Sequence, residues 1–461
     1  MTLVEELAAF VVDRAYRDLS PRAVEALKLR VLDSLGCAIG ALGGEPIRMV
    51  RDHIEDFGGS SRSTLIGGGR TAPDRAALYN AALVRYLDFN DSYLAKGETC
   101  HPSDNLGAVL AAAEYAGGTG KDLLTALAVA YQVQCRLSDV APVRKKGFDH
   151  TTQMAYGAAA GVAKALGLDK RRTANAVAIS GTAFTALRVT RTGALSHWKG
   201  LAAPNTAFGG THAAFLAMRG ITGPAEVFEG NKGFMDAIAG RFELDWSKED
   251  LERVTRTIVK KYNAEIHSQS SIEGLLELSD AEGFKAKDVG SIDVEIFDVA
   301  YHIIGGGEEG SKLEVRTKEE ADHSLNYMLA VALLDGTVMP AQYGSKRIVR
   351  SDVQDLLRRV RIRPRDDLSA RFPEDMPTHL RVRLKDGRTF EAEKRDYEGF
   401  TTRPMGLDGA TRKFHGLAAR FAPESLRERI VDAVARLDRI DVADLMALLA
   451  NVGGRKRKGR R

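Results

Sequence analysis

The chain changes its hydrophobic period twice, and this limits the folds open to it. From the start to about residue 265 apolar residues recur at helical spacing. Ser20-Pro21 forms an N-cap and first-turn pair ahead of AVEALKLRVLDSLGCAIGAL, and GAAAGVAKALGLD reads as a helix whose Ala and Gly positions permit close approach. After SIEGLLELSDAEG the period drops to two. SIDVEIFD alternates Ile292, Val294 and Ile296, and HLRVRLKDGRTFEAE divides into two strands at Asp386-Gly387, a favoured hairpin turn. HSLNYMLAVALLDG is one helix inside that stretch. Past about residue 405 helices return, in FAPESLRERIVDAVARLDRI and DVADLMALLA. The pattern predicts a mainly α chain with an α+β second domain: residues 1–265 and 406–454 form a large all-helical domain, and residues 266–405 form a smaller one inserted before the C-terminal helices. A length of 461 residues is also more than one hydrophobic core usually serves.

Charge and cysteine usage exclude several classes. The formal net charge is +4, yet RKRKGRR at 455–461 alone holds six Lys and Arg, so the body before it is net acidic. That tail has no apolar residue to bury and is expected to be a disordered basic end. Nucleic-acid recognition would need positive charge spread over a folded face. The three cysteines, Cys37, Cys100 and Cys135, are too scattered for a disulfide framework, and no C-x-x-C pair offers a metal or cluster a foothold. MTLVEELAAFVVDRAYRDL carries acids where a secretory signal carries Lys or Arg, and no apolar run approaches the roughly 20 residues of a membrane span. A cytoplasmic location is expected.

Familiar catalytic motifs fail. GGTGK at 117–121 has Asp122 where a phosphate loop needs Ser or Thr, and reads better as a helix-ending turn. GGGR at 67–70 and GGGEEG at 305–310 lack dinucleotide spacing, and neither H-E-x-x-H nor G-x-S-x-G occurs. What remains is a set of polar clusters that break apolar contexts: DFNDS with CHPSDN between two Ala-rich helices, GFDH at 147–150, HWKG at 197–200, KKYNAEIHSQS at 260–270, and ADHSLNY at 321–327. Singly, each has a bland account as a cap, a turn or a solvated face. Together they supply His, Lys and Asp without a metal-ligand layout, which suits acid–base work on an anionic substrate.

YLDFNDS with HPSDNLGAVLAA, then HWKG, then AEIHSQSSIE, then ADHSLNYMLAVALLDG, in this order, resemble the MmgE/PrpD family, and the likeness runs from VLDSLGCAIGAL at 31–42 to KFHGLAARF at 413–421. The resemblance implies a helical domain closed by an α+β lid, a homodimer, no cofactor, no metal, and a lyase acting on a tricarboxylate. Dehydration of 2-methylcitrate to 2-methyl-cis-aconitate is the expected reaction, with cis-aconitate decarboxylation or dicarboxylate epimerisation as alternatives. Carried over by motif, the catalytic positions are His101, Lys199, His150 and Asp88, and the substrate-binding positions are Ser92, Lys260, His267 and Tyr327. The chain departs from family habit at Asn263 and Asn326, where Pro is frequent, at Ser92, where Thr is common, and in EGFTTRPM, which lacks Gly-His-Pro.

The chemistry accounts for such a set. Removing a proton α to a carboxylate builds further negative charge there, while the hydroxyl must leave as water, so a base, an acid and cations are all needed. Lys199 and Lys260 are the expected cationic clamps. His101 precedes Pro102, is therefore held out of helical geometry, and is expected to act as base or acid with His150 as partner, with Asp88 orienting a histidine or lysine. From a different class, a catalytically silent RNA-binding protein using the basic tail would bind with steep salt dependence and turn nothing over.

Overall fold

The computed structural model describes residues 1–453; the basic tail at 455–461 lies outside the described residues. The chain divides into two compact units. The first comprises Met1–Thr190, Gly200–Thr257 and the described residues from Gly406 onward, and the second Arg191–Lys199 and Ile258–Met405. Lys199 thus belongs to the second unit.

The first unit is built of helices: α1 (Leu3–Asp13), α2 (Pro21–Gly40), α3 (Pro73–Tyr86), α4 (Leu106–Ala116), α5 (Gly120–Val140), α6 (Thr151–Ala165) and α7 (Lys170–Ala183) among them. Their starts follow local chemistry. The Ser20 side chain accepts from the Ala23 amide at 3.0 Å ahead of Pro21, which satisfies one of the donors a helix start leaves open. GGTGK is the turn between α4 and α5: Gly117 sits at φ +68°, and Thr119 and Asp122 cap α5 reciprocally. The small residues act as expected. A Cβ on Gly107 of α4 would stand 2.4 Å from the Ala81 nitrogen of α3, and one on Gly161 of α6 would stand 2.8 Å from Ala130 of α5. These pairs therefore pack backbone against backbone, α3 on α4 and α5 on α6.

The second unit carries the expected α+β texture. Strands β3 (Val289–Ile296), β4 (Val360–Pro364), β5 (Thr378–Leu384) and β6 (Thr389–Lys394) form one sheet in the order β4-β3-β5-β6; β1 and β2 are a small hairpin of the first unit described below. The β3–β4 pair is parallel and the other two are antiparallel. Asp386-Gly387 turns β5 into β6, with Gly387 at φ +95°. Ile292, Val294 and Ile296 are fully buried with Leu380 and Val382, on the face covered by helices α8 (Gln269–Glu282) and α9 (Leu325–Asp335). At about 1.5–3 kcal/mol for each fully buried aliphatic side chain, this alternation is the main reason the register holds. The expected class, mainly α with a smaller α+β domain, is the one observed. The three cysteines are buried and unbridged, and among the described residues no helix is long and apolar enough to cross a membrane.

Candidate active site

In the first unit a short hairpin assembles the polar crossing. Strands β1 (Tyr93–Ala95) and β2 (Glu98–Cys100) pair with Tyr93 opposite Cys100, turning at Lys96-Gly97 with Gly97 at φ +90°. Continuing that register by one residue sets Ser92 beside His101, and their Oγ and Nδ1 atoms lie 3.1 Å apart. The DFNDS and CHPSDN motifs are therefore folded onto one another. The Asp91 carboxylate accepts from the Ser103 amide at 3.1 Å, the Ser103 hydroxyl at 2.7 Å and the Tyr131 hydroxyl of α5 at 2.8 Å. Asn90 donates to Ser103 and to Asp104. From the helix Leu407–Ala418, buried Lys413 donates to the Phe89 carbonyl at 2.8 Å while pairing with Asp33 of α2 at 2.7 Å. The segment is thus tied down from three helices.

Asp88 closes this network. It adopts φ +54°, a left-handed conformation that Asp tolerates better than most residues, and its carboxylate lies 2.6 Å from the Arg85 guanidinium. Burial works against a charged Arg85, but the Asp88 and Asp104 carboxylates outweigh it and hold the guanidinium above its ordinary range. Burial pushes the Asp91 carboxyl upward, against its hydrogen bonds from Ser103 and Tyr131. His101 and His150 are both buried, and their rings meet edge to face with centroids 5.2 Å apart. His101 Nδ1 lies 2.8 Å from the Asp91 main-chain oxygen. His150, at the start of α6, has the Asp149 carboxylate 3.6 Å from its Nδ1. Asp88, Ser92, His101 and His150 therefore share one buried polar cluster.

The second unit holds a cationic cluster. Lys199 Nζ lies 2.5 Å from Asp322 Oδ1 and 2.9 Å from His323 Nδ1, and Lys318 Nζ lies 2.7 Å from Asp322 Oδ2. Burial alone would raise the Asp322 carboxyl, yet Lys199, Lys318 and His323 hold it well below the usual carboxylate range. Glu265 is the second acid. Burial opposes its charge, but His267, whose Nδ1 is 2.7 Å away, with His323 and Lys260, brings the carboxyl down to about 2. Lys199, Lys260 and Lys318 gather in this unit beside the two carboxylates Asp322 and Glu265.

Two predicted binding residues have other partners. The His267 ring packs against Phe297 and Phe372, with centroids 5.6 Å from each. The Tyr327 hydroxyl donates to the Gln342 carbonyl at 2.5 Å, and its ring is fully buried beside Tyr343. Sequence reasoning passed over Arg85, Asp91, Glu265, Lys318, Asp322 and His323. Arg85 had a usable signal, a charged residue in an otherwise apolar helix three positions before Asp88, and Asp322-His323 stands inside the quoted ADHSLNY. An open cavity of about 780 Å³ elsewhere in the first unit, lined by Tyr156, Phe234, Glu226 and Lys232, holds none of these groups, and its charged residues are exposed.

The helical unit thus holds a buried imidazole pair, and the α+β unit a cluster of lysines. Residues 5–247 match the MmgE/PrpD N-terminal domain and residues 262–439 the MmgE/PrpD C-terminal domain. The chain belongs to the MmgE/PrpD family, and its relatives place it among lyases. A cis-aconitate decarboxylase of Mus musculus is 25% identical over 476 residues, covering 97% of this chain and 93% of that protein. A 2-methylcitrate dehydratase of Escherichia coli (strain K12) is 27% identical over 466 residues, covering 94% of each, and one of Cupriavidus necator is 27% identical over 476 residues, also covering 94% of each.

Proposed function

We propose that this chain dehydrates a β-hydroxy tricarboxylate without a metal, and that the substrate is 2-methylcitrate and the product 2-methyl-cis-aconitate. The observation that carries the reading is the buried His101–His150 pair, edge to face at 5.2 Å, whose two surroundings differ. His101 faces a main-chain oxygen and His150 a carboxylate. Titratable groups set apart in this way take opposite roles. His101 is the base that removes the proton α to a carboxylate; His150, with the Asp149 carboxylate 3.6 Å from its Nδ1, gives a proton to the departing hydroxyl, which leaves as water. Lys199 and Lys260 supply positive charge for the carboxylate on which the second negative charge develops. Ser92 binds substrate beside His101, and Asp88 with Arg85 keeps the crossing in shape. The enzyme works as a cytoplasmic homodimer, for which light scattering giving the mass of one chain would be the refuting result.

Incubating the purified protein separately with 2-methylcitrate, citrate and cis-aconitate, and identifying products by NMR, tests the reading. Loss of water from 2-methylcitrate is the expected result. A second reading, decarboxylation, is favoured by the mouse relative that covers 97% of the chain. In that case cis-aconitate would release CO₂ and 2-methylcitrate would stay intact. Inversion of a small dicarboxylate at constant mass would point instead to epimerisation.

A further inference from the structure

We propose that Asp91 is a positioning residue: its side chain locks the peptide whose carbonyl fixes His101 in the Nδ1–H tautomer, so that Nε2 is the atom that takes the substrate proton. The inference rests on the role proposed for His101 above and names the atom and the device behind it. A carbonyl oxygen can only accept, so the 2.8 Å contact between His101 Nδ1 and the Asp91 main-chain oxygen requires the proton on Nδ1. In a neutral imidazole the basic lone pair is then on Nε2.

The opposite tautomer has a partner already in place. The Ser92 hydroxyl, 3.1 Å from the same Nδ1, is able to donate to it, and that arrangement would put the proton on Nε2 and remove the base. The peptide between Asp91 and Ser92 decides between them by the direction in which its carbonyl points. Three hydrogen bonds to the Asp91 carboxylate, two from Ser103 and one from Tyr131, oppose its rotation. Asp91 is fully buried, as are Ser103 and Tyr131 within two per cent, so water does not replace a lost bond readily. Asp91 itself reaches no reacting atom in this scheme. It acts through the backbone, and this separates its signature from that of a group that touches substrate.

The test is histidine ¹⁵N NMR on the full-length protein, with the His101 signals assigned by their absence in His101→Gln. Above the titration of the imidazole, Nδ1 should give the protonated type of signal and Nε2 the unprotonated type. Asp91→Ala removes the acceptor of all three bonds, and Tyr131→Phe removes one donor while keeping the ring. Each should populate the Nε2–H tautomer and lower kcat roughly 10- to 100-fold with KM nearly unchanged, the scale of a misoriented catalytic group. Adding Ser92→Ala to Tyr131→Phe removes the competing donor and should restore the Nδ1–H signal. An unprotonated Nδ1 in the unaltered protein overturns the proposal, and this result stands even where a variant fails to fold. Activity lost in Asp91→Ala and Tyr131→Phe with the His101 tautomer unchanged overturns it too, since Asp91 would then be only structural. Absence of turnover on every tricarboxylate would sink the dehydratase reading and leave the tautomer measurement to judge the positioning device.

Discussion

The Lys199 ammonium lies 2.5 Å from the Asp322 carboxylate, whose other oxygen is 2.7 Å from Lys318. One buried acid therefore holds two cations, and the two sides of the pair are not equivalent. Asp322→Ala leaves two ammonium groups facing one another and should cost about 3–5 kcal/mol of stability, the range for stranding a buried charge. Lys199→Ala leaves Asp322 with Lys318 and His323, so it should cost about 1–3 kcal/mol while lowering kcat by roughly 10²–10³-fold. Urea denaturation and turnover measured together check both. The reverse order of stabilities, or near-normal kcat in folded Lys199→Ala, would count against this account.

Acid should loosen the second unit through Glu265. Its carboxyl is held at about 2 against an ordinary value of 4.5, chiefly by His267 acting against the cost of burial. A depressed carboxyl contributes stability that is complete above about pH 4.5, declines as pH falls and is gone below about pH 2. The contribution is on the order of 3 kcal/mol. Glu265→Gln should therefore be less stable than the unaltered chain at neutral pH, and the gap should narrow on acidification to about pH 3. A gap that stays constant over that range would refute the assignment.

The fold was readable because its signals are local. Ser20 ahead of Pro21, the alternation of Ile292, Val294 and Ile296, and Asp386-Gly387 each act within a few residues, and each appears where periodicity and turn chemistry place it. The partners in the candidate site were less legible because they are set by tertiary distance. Lys199 could have been a solvated lysine next to exposed Trp198, and its carboxylate comes from 123 residues further on. The contact that orients His101 comes from a backbone oxygen, which no residue type announces. Asn326, a departure from the family habit, turns out to serve the fold: its amide donates to the Val360 carbonyl at 2.8 Å and so ties α9 to the start of β4.

Turnover should survive exhaustive chelation. In the second unit the Asp322 carboxylate already has an ammonium on each oxygen, and a dication placed there would have to displace or approach two lysines. In the first unit the Asp91 carboxylate is engaged by three donors, and His101 Nδ1 by a carbonyl. These commitments make side-chain cations the proposed source of charge stabilisation. Activity lost on chelation and restored by a divalent cation would overturn this.

The final prediction concerns the imidazole pair. If His101 takes one proton and His150 gives another in the same turnover, the two act as a unit, and removing either disables the step. His101→Gln and His150→Gln should each lower kcat by roughly 10²–10³-fold, and the double variant should be little worse than the poorer single one. Both rings are buried in a polar cluster rather than an apolar core. A glutamine of similar length opens no large cavity there, so thermal unfolding should stay cooperative and shift only modestly. Single-turnover kinetics on the four proteins decide the matter. Losses that multiply in the double variant would mean that the histidines act in independent steps, and the paired acid–base assignment would have to be given up.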